Sequence, residues 1–91
     1  MTVTSIPADL LAWCDANDAR AREELFALLR IPSVSARTEH AGDCAAAAQF
    51  LADALARIGF TTSIEPTPGH PIVLGEWRGA PAGAPTLLIY G

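Results

Sequence analysis

The side chains that could support metal, nucleophilic or acid–base chemistry are few and scattered: two histidines, His40 and His70, and two cysteines, Cys14 and Cys44. A zinc centre needs three or four ligands converging on one point. His70 stands between Gly69 and Pro71 with no second His, Cys or carboxylate at ligand spacing, and reads as a solvated turn residue. His40 has Asp43 and Cys44 close behind it, but an Asp near a helix start is accounted for by the helix dipole. Cys14 and Cys44 fall on helical stretches beside apolar neighbours, where free cysteine acts as a small hydrophobe. Ser33 and Ser35 lie in a loop with neither a histidine base nor an oxyanion hole in view. Glu23 and Glu24, beside Arg20 and Arg22, form a charged helix face. There is no paired-carboxylate pattern and no glycine-rich phosphate loop. No catalytic, cofactor-binding or metal-ligating residue is assigned within the chain.

The elements that would position these groups are better marked. Ser5 is expected to cap a first helix whose early turns carry Pro7 and Asp9. Leu11, Cys14, Ala21, Leu25 and Leu28 recur at three- and four-residue spacing and make its apolar stripe. Asp15-Ala16-Asn17-Asp18 interrupts that stripe and leaves open whether one helix or two is present. Pro32 forces Ile31 out of helical geometry, so the element ends at about Arg30, and Pro32 to Ala41 reads as loop. A second helix is expected from Gly42 or Asp43 to Ile58, with Leu51, Ala54, Leu55 and Ile58 on its buried face. Its opening alanines have the best helix propensity and let a neighbour approach closely. Gly59 suits the left-handed residue that closes a helix, with Phe60 packing back on Leu55.

Alternation of Phe60, Thr62 and Ile64 with Thr61, Ser63 and Glu65 predicts a strand. Pro66 to Pro71 is a turn, and Ile72 to Arg78 a second strand completing a hairpin, with Gly75 a candidate bulge. After the Pro/Gly-rich stretch Gly79 to Pro85, the run Thr86-Leu87-Leu88-Ile89-Tyr90 predicts a third strand, apolar enough to be buried on both faces in an α/β core. Ligands in such folds bind outside the carboxyl ends of strands. The expectation is therefore of the opening part of a larger α/β enzyme, a scaffold without its active site.

Composition bounds the rest. At 51% hydrophobic residues the chain is too apolar to be disordered, while a 91-residue domain buries only roughly 60–65% of its unfolded surface. A net charge of −4, with every basic residue an arginine, offers no basic patch for nucleic acid. The amino-terminal stretch Met1 to Pro7 lacks the features of a secretory signal, and no segment approaches the length of a membrane span. A cytoplasmic location is expected, with both cysteines as free thiols.

Three segments together resemble a known family: Leu28-Leu29-Arg30-Ile31-Pro32-Ser33-Val34-Ser35 closing the first helix, Leu55-Ala56-Arg57-Ile58-Gly59-Phe60 closing the second, and Thr86 to Gly91. In this order and spacing they look like the start of the zinc-dependent exopeptidases and deacylases of metallopeptidase family twenty. That family includes dipeptidases, glutamate carboxypeptidases, acetylornithine deacetylase and succinyl-diaminopimelate desuccinylase. The Leu-Leu-Ile-Tyr-Gly ending best suits the dipeptidase-like branch.

The resemblance implies a mixed-sheet α/β catalytic domain with an inserted lid or dimerisation domain, a homodimer, and two zinc ions that activate water against a peptide or N-acyl amide carbonyl. Residues 1–91 would be the amino-terminal portion of that domain: two helices, a β-hairpin, then a buried central strand. The first zinc ligand would follow in a His-X-Asp motif directly after a strand like Thr86 to Gly91. On this reading every ligand and the general base lie elsewhere, no functional residue carries over to residues 1–91, and the chain alone is inactive. Two rivals are kept: a complete small α/β interaction module without catalysis, and an N-acyl-amino-acid deacylase of the same family.

Overall fold

The computed structural model describes residues 5–91. Met1 to Thr4, part of the stretch read for a secretory signal, lie outside the described residues. The first helix, α1, spans Ala8–Leu29. Its N-cap is Pro7, whose carbonyl accepts from the Leu11 amide at 3.1 Å, so Ser5 lies two positions too early to cap it. Asp9 serves the first turn instead, its Oδ1 accepting from the Leu10 amide at 3.0 Å. There the carboxylate also meets the positive end of the dipole.

The polar stretch 15–18 does not break the helix. Asn17 Nδ2 donates to the Trp13 carbonyl at 2.8 Å, Arg20 Nη2 donates to Asn17 Oδ1 at 3.0 Å, and Arg22 pairs with Asp18 at 2.9 Å. These side chains, three and four residues apart, bond along one helix surface and settle the open choice as one helix of 22 residues. Its expected apolar stripe finds no core: α1 contains no buried residue, and Leu11 and Leu25 are about half exposed.

A 3-10 turn, Thr38–His40, leads into the second helix, α2, Ala41–Arg57. The helix closes as its sequence predicts. Gly59 has φ +98, its amide donates to the Ala56 carbonyl at 3.1 Å, and the Phe60 amide donates to the Leu55 carbonyl at 3.1 Å. That pair of bonds is the Schellman pattern, which places a glycine where a Cβ is strained. The buried line is Ala48 and Ala52, with Leu55 and Ala54 half-buried, while Leu51 and Ile58 are exposed, contrary to expectation. Small side chains let α2 lie close against the hairpin, so the alanines take the centre and the larger residues its flank.

The hairpin strands are β1, Thr61–Glu65, and β2, Ile72–Glu76, antiparallel and paired from Thr61↔Glu76 to Glu65↔Ile72. Thr62, Ile64 and Val73 are half-buried, on the face that α2 covers, whereas Ile72 and Leu74 are exposed on the other. Gly75 is not a bulge; it pairs regularly with Thr62. Its role is clearance, because a Cβ there would stand 2.9 Å from Leu55 Cδ1 and 3.3 Å from Phe60 Cδ2. Strand β2 also stops short of Arg78: its last residue, Glu76, lies opposite Thr61, where β1 begins, and beyond it the Trp77 indole folds over Gly79.

The third strand does not form. After a turn in which the Ala84 amide donates to the Pro81 carbonyl and Gly83 has φ +87, residues 86–91 run without pairing to β1 or β2. Leu87, Leu88, Ile89 and Tyr90 are 83–95% exposed, the reverse of the burial expected of them. Strand propensity does not secure a strand without a hydrogen-bonding neighbour and a covering layer. The described architecture is a small mixed α/β arrangement of two helices and a two-stranded antiparallel sheet.

Candidate functional site

The chemistry-bearing residues settle in three places. At the start of α2, His40 Nδ1 and Asp43 Oδ2 are 2.8 Å apart, both partly buried, with Cys44 half-buried on the next residue. The (i, i+3) spacing brings the pair together across the first turn of the helix. Among the described residues no three His, Cys, Asp or Glu side chains converge as a metal site would require. Cys14 is exposed on α1, and both cysteines are free thiols. Glu24 pairs with Arg20 at 3.3 Å on the outer surface of α1, where Glu23 is also exposed.

The second place is the meeting of two loops. His70 is exposed, as expected of a turn residue, but it is not merely solvated: its Nε2 lies 2.8 Å from the Ser35 carbonyl oxygen. A carbonyl only accepts, so His70 donates through Nε2. It contacts the backbone of Ser35, and this geometry does not make it a base for a Ser35 hydroxyl. Both loops are organised locally for the contact. The Arg37 amide donates to the Val34 carbonyl at 3.3 Å, closing a turn in which Ser35 holds the second position. The carbonyl at that position has no partner within the turn and points outward. On the other side Thr67 Oγ1 donates to the His70 carbonyl at 2.6 Å and accepts from the Gly69 amide at 3.0 Å, fixing the backbone that carries the imidazole.

The third is an open face formed by Ala48, Leu51 and Leu55 of α2 with Phe60, beside which the unpaired run carrying Leu88 and Tyr90 stays almost fully exposed. It is mainly apolar and carries no converging charged groups. At its rim Glu76 accepts from Arg78 Nη2 at 2.8 Å. That hydrogen bond, reinforced by the arginine's charge, lowers the Glu76 pKa and raises that of Arg78, although both side chains are exposed.

Sequence reasoning found the helix-start cluster but not the His70–Ser35 contact. The outward carbonyl of a Val34–Arg37 turn was a signal available locally; its pairing with a residue 35 positions away was not. Comparison with known proteins returns no matching family model, no matching curated protein and no matching solved structure.

Proposed function

We propose that residues 1–91 form the amino-terminal scaffold of the catalytic domain of a di-zinc metallohydrolase of family twenty. The enzyme hydrolyses a dipeptide or N-acyl amide bond with metal-activated water, and acts as a cytoplasmic homodimer. The reading rests on the three segments ending at Ser35, Phe60 and Gly91, taken together in their order and spacing. The observation that carries the scaffold half of it is the apolar surface left open: Leu87 to Tyr90 stand at 83–95% exposure, and α1 buries nothing. Apolar runs of this kind in a folded enzyme are covered by further layers. The zinc ligands and the general base belong to that further polypeptide, and the dipeptidase branch is preferred over the deacylases on the Leu-Leu-Ile-Tyr-Gly run.

Two measurements test this. The purified 91-residue chain, given zinc, is expected to show no dipeptide or N-acyl amide hydrolysis; turnover by these residues alone would sink the scaffold reading. Sequencing the transcript beyond the Gly91 codon should reveal His-X-Asp next; a coding continuation without it would remove the family assignment, and a stop codon there would leave a non-catalytic product.

A further inference from the structure

We propose that His70 is a strap that ties the hairpin turn to the loop following α1 and so holds that loop, Ile31 to Arg37, against the α2–hairpin unit. The inference rests on the fold and is independent of the catalytic reading above. Among the described residues every other side-chain hydrogen bond joins positions no more than four apart, whereas His70 Nε2 to the Ser35 carbonyl spans 35. It is thus the one polar side-chain tie between distant parts of the described chain. The need for such a tie is visible in the packing. α1 buries no residue, and although Leu28 and Ile31 are half-buried, the loop's Pro32, Ser33, Val34, Ser35, Ala36 and Arg37 are all exposed, so apolar burial does little to place this stretch of the loop.

The strap is built at both ends. Ser35 offers the outward carbonyl of a closed turn, and Thr67 locks the His70 backbone from both sides of its hydroxyl. A neutral imidazole in this position must carry its proton on Nε2. Protonation of the ring leaves that donor in place. Glutamine can present an amide N–H at a similar reach, whereas phenylalanine keeps the ring volume and loses the donor.

Limited tryptic digestion of the protein, kept below the concentration at which it associates, reads the strap directly, because Arg37 lies in the held loop, Arg57 ends α2 and Arg78 lies in an exposed segment. His70→Phe should raise cleavage after Arg37 about two- to tenfold, the scale of one net hydrogen bond, with cleavage after Arg57 and Arg78 unchanged. His70→Gln should stay near the wild-type rate. Equal rates at Arg37 in the wild type and His70→Phe would overturn the proposal. So would a parallel rise at Arg57, which marks general unfolding, or His70→Gln behaving as His70→Phe does. Nitrogen NMR of the imidazole supplies a second reading: the neutral ring is expected as the Nε2–H tautomer, and an Nδ1–H form would overturn the strap even if all variants fold poorly.

Discussion

Arg78 and Glu76 lie two residues apart at the end of β2 and are joined at 2.8 Å, yet both are well exposed. Their bond lowers the Glu76 pKa first through the hydrogen bond and then through the arginine's charge. A carboxylate whose folded pKa is depressed adds stability above its unfolded pKa, and that contribution disappears as pH falls through the folded value. Full exposure and salt screening keep the contribution small. Arg78→Ala should therefore return the Glu76 titration toward the ordinary carboxylate range, followed by carbon NMR of its side chain, with little change in unfolding midpoint. A titration that does not move would show that Arg78 is not the cause. Asn17, Arg20 and Glu24 form a polar ladder along α1. The residues that looked like a helix break supply the bonds that carry the helix through.

Among the elements, the end of α2 was the most legible. A glycine followed by an aromatic after a leucine-rich turn predicts a left-handed cap, and Gly59 at φ +98 with its two backbone bonds provides it. Gly59→Ala should destabilise the α2–hairpin unit by about 1–2 kcal/mol, the cost of a Cβ in left-handed geometry, measured as a lower urea midpoint by far-ultraviolet circular dichroism. An unchanged midpoint would mean that the cap contributes nothing. Element faces were less legible than element ends. Leu51 and Ile58 were expected on the buried face by their spacing; Ala48 and Ala52 are buried instead, while Leu55 is half-buried beside Gly75 of the hairpin. Gly75 belongs to the same effect, absent as a bulge and present as clearance for Leu55 and Phe60.

Taken whole, the chain is open. Its radius of gyration is 16.5 Å, against about 12 Å for a compact domain of this length. Among the described residues only Ala48 and Ala52 are buried, and Leu10, Trp13, Ile72, Leu74 and Trp77 are each about half exposed or more. No helix among the described residues is long and apolar enough to cross a membrane. Exposed apolar area on this scale favours association. The isolated 91-residue chain is expected to bind a hydrophobic dye and to self-associate at micromolar concentration. Leu88→Glu with Ile89→Glu should reduce both without altering the helical circular-dichroism signal, because neither residue supports a helix or a strand here. A wild-type monomer with a sharp cooperative unfolding transition would instead favour the small interaction module.

What depends on near neighbours was written in the residues: two helices, their stop signals at Pro32 and Gly59, and a hairpin joined through Pro66 to Pro71. Propensity, capping and proline geometry act over a few residues and can be read in order along the chain. The packed fold sets which face of α2 is buried, leaves Thr86 to Tyr90 without a strand partner, and brings His70 to Ser35. Each of these depends on what lies opposite in space. A strand needs an edge, a core needs a second surface, and a donor needs an acceptor, none of which a residue carries in its own neighbourhood.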